Sequence, residues 1–439
     1  ATRPGRPAGR GVPPTAGGVE VGQLLSSCPT RGEMMRNSRR ALTLLFLFVF
    51  VDVLGFSLIL PLLPYYAATF GATAEVVGLL LGANALTQLL GAPVLGRLSD
   101  RYGRKPLLIL SLAGTVAGFL MLGLARSLAM LFASRIVDGF LGGNISLAQA
   151  YISDVTEGKE RTKGFGLIGA AFGLGFIFGP AMGGGLAGGG NYALPALVAA
   201  GLSLLNLLGV LIWLPESLPR QERERRAQEP RAAFSLRVLW EALGLPCVGP
   251  LLQTQLFYSL AFTLFETVFS LFARERLGLD ARTTSFVLTY VGILVVLVQG
   301  VGIRLLVKRF ADKQLVFGGS VLLAVSLLAW AFSPSLGVLL VVLAPLALAS
   351  GVLRVAVNAA LTRSVWPEEV GGTLGLSAAL GSLTRVVAPT IGGFLLGRIG
   401  AFAPGVLGAL LMLWLVYYTW KRVLFVPDLA CPAPRGMTE

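Results

Sequence analysis

Twelve stretches of almost unbroken apolar residues alternate with short polar connections along this chain, over 41–65, 75–96, 106–125, 128–152, 163–188, 192–214, 250–273, 284–306, 314–332, 335–362, 372–397 and 401–425. A helix needs about 20 apolar residues to cross the hydrocarbon core of a bilayer. The pattern therefore predicts an all-α integral membrane protein with twelve transmembrane helices. The polar connections repeat as well as the apolar blocks. Gly96 to Lys105 is a short, highly charged loop between two spans, and an offset of 208 positions leads to a second basic loop, Arg304 to Lys313. Pro180-Ala181-Met182-Gly183-Gly184 returns 209 positions later as Pro389-Thr390-Ile391-Gly392-Gly393. The chain thus reads as one six-helix unit, duplicated, with pseudo-symmetric halves at 41–214 and 250–425.

Residues 215–249 join the halves; their charge run, Arg220 to Arg226, is expected to be a solvated helix or coil. Residues 1–40 are rich in Pro, Gly and Arg, with only Glu20 and Glu33 as acids, and predict a disordered basic tail; residues 426–439 form a second tail. An organelle transit peptide, or a true start at Met34 or Met35, are alternative readings of the leading segment.

Composition adds orientation. The chain is 55% hydrophobic and 13% charged, with a mean hydropathy of +0.76. Lys and Arg concentrate before the first span and after even-numbered spans, which places those connections and both termini in the cytoplasm by the positive-inside rule. That bias also accounts for the net charge of +14, so no nucleic-acid partner is expected. The sequence leaves plasma and organelle membranes unresolved. Cys28, Cys247 and Cys431 show no metal or disulfide spacing, and there is no histidine. Any proton handling falls to carboxylates. No nucleophile–base pair or phosphate-binding loop marks an enzyme, so no catalytic residue, metal or cofactor is expected, and transport would draw on a gradient.

Four motifs carry a family resemblance: Gly96 to Lys105; Asp52-Val53-Leu54-Gly55 with Pro61-Leu62-Leu63-Pro64; Arg135-Ile136-Val137-Asp138-Gly139 with Ala150 to Asp154; and Gly175 to Gly179 with Pro180, Gly183 and Gly184. Over about residues 41–425 the chain resembles the major facilitator superfamily, and most of all the drug:proton antiporters similar to tetracycline efflux proteins. The resemblance implies a solute site near the midplane between two six-helix halves. Gly175, Gly179, Pro180, Gly183 and Gly184 give the fifth span a Cβ-free seam for close helix packing. In the family this seam is associated with antiporters.

The loop residues Gly96, Asp100, Arg101, Gly103, Arg104 and Lys105 read as a conformational latch. Asp100, at the cytoplasmic end of the second span, is expected to meet the positive N-terminus of the eleventh near Gly371-Gly372-Thr373. The resemblance implies that Arg104 reaches Asp154. Under the repeat Asp100, Arg104 and Asp154 map onto Lys308, Asp312 and Arg363, each with inverted sign, so Asp312 and Arg363 are expected to form the equivalent bridge. A topogenic loop of solvated charges is the plainer alternative.

Charges inside spans cost about 2.5–3.5 kcal/mol each on insertion scales. Asp52 is the first candidate for a proton carrier, since protonation removes the cost of burying its charge; Glu266 is the second. Asp138 is a third candidate, or a structural partner of Arg135. Asn84, Gln88, Arg135, Asn144, Gln299, Arg354 and Asn358 are candidate cavity residues, or hydrogen-bond donors to neighbouring helices. Arg354 and Arg385 raise the prospect of an anionic or zwitterionic solute. The expected function is alternating-access transport of a small amphipathic solute, as proton-coupled efflux, by a monomer. A uniporter or symporter for sugars or organic anions, and a non-transporting receptor or scaffold, are the alternatives.

Overall fold

A computed structural model of the protein describes residues 31–228, 236–245, 248–366 and 369–424. Most of the expected tails, all three cysteines and the middle of the linker lie outside the described residues. Among those residues every regular element is helical, and twelve helices are long and apolar enough to cross a membrane: Leu42–Ile59, Ala74–Tyr102, Arg104–Gly123, Leu128–Val155, Glu160–Leu186, Ala193–Trp213, Gly249–Leu277, Ala281–Val307, Asp312–Ala331, Leu336–Arg363, Val370–Arg398 and Ala403–Arg422. They are called the first to twelfth spans below.

The packing repeats with the sequence. The first span packs on the fifth and sixth, the second on the fourth, and the third on the fourth and sixth; six spans later the same pairings recur as 7–11, 7–12, 8–10, 9–10 and 9–12. Two seams join the halves, between the second and eleventh spans and between the fifth and eighth. These seams are exchanged by the same six-span step, so the halves are related by a pseudo-twofold.

Two spans depart from the expected continuous helices. The first stops at Ile59; a turn through Pro61 leads to a separate short helix, Leu63–Thr69, because prolines at 61 and 64 remove amide donors. The fourth is broken at Gly142-Gly143 into Leu128–Leu141 and Asn144–Val155. Two adjacent glycines weaken the helix there, and neighbours satisfy the freed backbone groups. The Gly143 amide donates to Ser111 Oγ at 2.9 Å, the Ser111 hydroxyl donates to the Leu141 carbonyl, and Gln88 Nε2 donates to the Gly142 carbonyl at 3.1 Å. At the matching place the tenth span has one glycine, Gly351, followed by Val352, and stays continuous.

The seams are closed at one end and open at the other. A Cβ on Gly78 of the second span would strike the Pro389 carbonyl, and one on Gly393 would lie 3.0 Å from Gly78 Cα. About five turns along each helix, on the same faces, Gly96 and Gly375 have no neighbour within 4 Å. In the other seam Gly184 meets Ser285, whereas Gly166, again five turns away, faces open space. The Tyr65 hydroxyl seals the closed end, donating to the Leu279 carbonyl at 2.9 Å beside Thr284 Oγ1 at 2.6 Å. A cleft between the halves therefore opens towards the end that carries Arg104 and the linker.

Candidate functional site

At the linker end, four charges close on one another. Arg104 Nη2 lies 2.8 Å from Asp100 Oδ1, and Arg104 Nε donates to Asp154 Oδ2 at 2.8 Å; all three side chains are less than a tenth exposed. The fourth charge comes from the linker. Its helix Arg220–Gln228 lays Arg226 Nη1 3.1 Å from Asp154 Oδ1 and 3.6 Å from Asp100 Oδ1. Glu216 accepts from the amides of Arg104 and Lys105 at 2.8 and 3.2 Å, capping the third span. One face of the linker helix is therefore docked through Arg223 and Arg226, while Arg220, Gln221, Glu224 and Arg225 stay exposed. At the start of the eleventh span, where Asp100 was expected to dock, Gly371 and Gly372 have open space beside them, since the seam is parted at this end.

The repeat-related pair is also formed, but differently. Arg363 Nη1 lies 2.8 Å from Asp312 Oδ2, with Arg363 71% exposed. Lys308 lies exposed on the same loop, as do Arg101 and Lys105 on theirs, where Lys105 Nζ donates to the Leu211 carbonyl at 2.9 Å.

Inside the N-terminal half a hydrogen-bonded chain crosses three spans. Asn144, the first residue after the break in the fourth span, donates to Asp52 Oδ1 at 2.7 Å and to Thr115 Oγ1 at 3.1 Å. Thr115 stands beside Asp138, whose Oδ2 lies 3.3 Å from Arg135 Nη1. Arg135 is buried under the Phe119 ring, 5.4 Å from its centroid. Asn84 donates to the Arg135 carbonyl at 2.9 Å. Four of the residues read as cavity lining, Asn84, Gln88, Arg135 and Asn144, are thus committed to contacts within this half. Asp52 and Asn144 line a narrow pocket with Phe48, Leu108 and Asn206. Asn206 holds the Phe48 carbonyl at 3.0 Å, and the amide oxygens of Asn144 and Asn206 are buried acceptors with no protein donor.

The C-terminal half presents its polar groups to the cleft instead. In the seventh span Leu264 and Val268 pack on Gly392 of the eleventh, Phe265 and Phe272 on Trp330 of the ninth, and Phe257 on Trp414 of the twelfth. Gln255, Ser259 and Glu266 occupy the remaining stripe, at helical spacing. In the tenth span Leu353 packs on Gly319 and Gly351 on Val298. Arg354 and Asn358, one turn apart, point away from the ninth span, and Arg354 is exposed. Its guanidinium lies beside Tyr258, with Glu266 near enough to interact electrostatically. The Tyr258 hydroxyl in turn donates to the Ser350 carbonyl at 3.0 Å. Gln299 is exposed on the eighth span.

Sequence reasoning passed over Ser111, Thr115, Asn206, Tyr258 and Arg226. Asn206 was detectable as an amide in an apolar span. The hydroxyls were not, since Ser and Thr in spans commonly bond their own helix. Three of the fifth-span glycines lie against the first span: a Cβ on Gly175 would lie 2.6 Å from Val53 Cγ1, and Cβ atoms on Gly179 and Gly183 would strike Ser57 and the Leu58 carbonyl.

Comparison with known proteins agrees with this architecture. The model of the Major Facilitator Superfamily matches residues 45–306 and 251–428. The class C tetracycline resistance protein of Escherichia coli is 34% identical over 364 residues, covering 81% of this chain and 89% of that protein. Mouse solute carrier family 22 member 18 is 30% identical over 370 residues, covering 83% and 91%. Among solved structures, the human organic anion transporter MFSD10 superposes with a TM-score of 0.64 at 24% identity, covering 87% of this chain and 99% of that one; this likeness bears on the fold alone.

Proposed function

The chain belongs to the Major Facilitator Superfamily and is an integral multi-pass membrane transporter of small solutes; from that premise we propose that it exports an amphipathic, drug-like solute in exchange for protons. The tetracycline resistance protein among its relatives supports this reading. The observation that carries it is the Asp52–Asn144 hydrogen bond at the break in the fourth span. Positive charge around the parted end supports a cytoplasmic linker, so the conformation described is inward-open.

The proposed coupling follows from hydrogen-bond strength. An ionised Asp52 accepts a charge-assisted bond from Asn144, about 1.5–3 kcal/mol against about 0.5–1.5 for a neutral acceptor. Protonation weakens that tie by about 1 kcal/mol. The released piece, Asn144–Val155, is a rigid helix whose far end carries Asp154 of the charge cluster. One proton at mid-span thereby reaches the linker end through two and a half turns of helix, and biases the halves towards closure there. Asp138, tied to Arg135, has a structural role; Glu266 is a second carrier facing the solute path.

Purified protein in liposomes, loaded on the cytoplasmic side with tetracycline and a pH dye, tests the proposal. Outward solute flux should move protons the opposite way, and Asp52→Asn, which keeps shape and acceptor oxygen, should abolish that movement. Unchanged proton movement in the variant refutes the role of Asp52.

A further inference from the structure

We propose that Arg354 is the docking point for a negatively charged head group, a carboxylate, sulfonate or phosphate monoester, on the transported solute. The inference rests on the transporter reading above and names the class of solute that this cleft takes.

Three arginines lie deep within spans, Arg135, Arg354 and Arg385, and the contrast between the first two is informative. Arg135 is buried, paired with Asp138 at 3.3 Å and roofed by Phe119. It forms a buried structural ion pair, with Nη2 left without a hydrogen-bond acceptor among the described residues. Arg354 differs on each count. It is exposed, and no carboxylate among the described residues lies within 4.0 Å of it. Its protein neighbour is the Tyr258 phenol, and a guanidinium offers five donors. An unpaired cation at such depth is costly to keep, and its open donors are directed where a solute passes.

The surroundings fit an anion with an apolar body. Counting back from Arg363 at 1.5 Å per residue, Arg354 lies about 14 Å inside the linker end; Tyr258 is at the same depth counted from Gly249. The Tyr258 bond to the Ser350 carbonyl fixes the phenol, which stands beside the guanidinium. Arg385, on the eleventh span, is a second exposed cation at about 22 Å, and its helix turns its packed face, Pro389 and Gly393, towards Gly78. Glu266 stands deeper, at about 25 Å. A single negative head therefore meets Arg354 first, while a second acid carried deeper would be repelled. Phe262, half-buried on the same stripe as Gln255, Ser259 and Glu266, offers an aromatic wall to the body of the solute.

Two size-matched aromatic ions of fixed charge provide the test: radiolabelled naphthalene-2-sulfonate and 1-methylquinolinium, bound to the full-length protein in nanodiscs. The sulfonate should bind saturably and outcompete the quinolinium. Arg354→Gln should weaken sulfonate binding at least about tenfold, whereas Arg354→Lys, which keeps the charge, should stay within about threefold. Tyr258→Phe, which removes the hydroxyl beside the guanidinium, should weaken it by a smaller factor. Thermal melting of each variant separates lost binding from lost fold. Sulfonate affinity indifferent to Arg354→Gln, failure of the wild type to bind sulfonate, or preference for the quinolinium each overturns the assignment. Sulfonate binding that depends on Arg354, in a protein whose flux moves no protons, upholds it while removing the antiport reading.

Discussion

Replacing Arg226 with Gln tests whether the linker holds the cleft open. In the structure Asp100, Arg104, Asp154 and Arg226 form a neutral set of two acids and two arginines. Removal of Arg226 takes one positive charge away from carboxylates that are 7–8% exposed. Losing one partner of a fully buried pair costs about 3–5 kcal/mol, and an exposed pair contributes at most about 1 kcal/mol. Arg226 is 22% exposed and also held by Glu222 at 2.9 Å, so about 1–2 kcal/mol is a reasonable figure. Because Asp100 must leave Arg226 to reach the eleventh span, that energy is lost from the open state, shifting the conformational ratio about five- to thirtyfold towards closure of the linker end. Spin labels at Lys163 and Arg309, both exposed at that end on opposite halves, report the separation by pulsed electron resonance in a cysteine-free background. Arg226→Gln should populate a shorter distance and Arg226→Lys should restore most of the longer one. Identical distance distributions in Arg226→Gln and wild type would refute the reasoning.

Three further outcomes are expected. Arg104→Gln, which leaves two buried carboxylates facing each other, should lower the melting temperature markedly, while Arg363→Gln should change it little, since Arg363 is 71% exposed; equal effects would show that the repeat-related bridges are equivalent. Gly183→Val should destabilise the fold by about 1–3 kcal/mol, because its Cβ has no room beside the Leu58 carbonyl, and a neutral result in denaturant unfolding contradicts the close packing. Tyr65→Phe removes the donor to Leu279 and should loosen the closed end, seen as faster amide exchange around Leu279–Thr284. The Tyr65 hydroxyl is pushed up to about 12 by burial, so it should stay protonated, and this seal intact, across the physiological pH range.

The twelve spans, their duplication and the family were legible because bilayer thickness imposes a run length that survives in any sequence, and because the loop at Gly96–Lys105 is a dense local motif. The inverted-sign mapping of Arg104 onto Asp312 came from simple register. What escaped was long-range and conformational. Nothing in the composition of Arg220–Arg226 tells a solvated helix from one whose sixth or seventh residue reaches an acid more than seventy positions away. Asp100 was assigned to the eleventh span because a sequence carries no record of which end of a cleft is parted. Asn84 and Gln88 look like lining in a list of polar residues, yet backbone carbonyls at Arg135 and Gly142 claim them. Even the Gly142-Gly143 pair was readable as a weak point in a helix, but not as the place where Asp52 is held.

The glycine pair that interrupts the fourth span has no counterpart at Gly351, and that asymmetry divides labour between the duplicates. Under the proposed coupling, the jointed copy is the moving part that senses the driving ion, and the copy with the unbroken rod is the wall against which cargo is selected. Two such modules can drift independently, so a lineage bearing this fold is free to change what it carries while leaving its motor untouched.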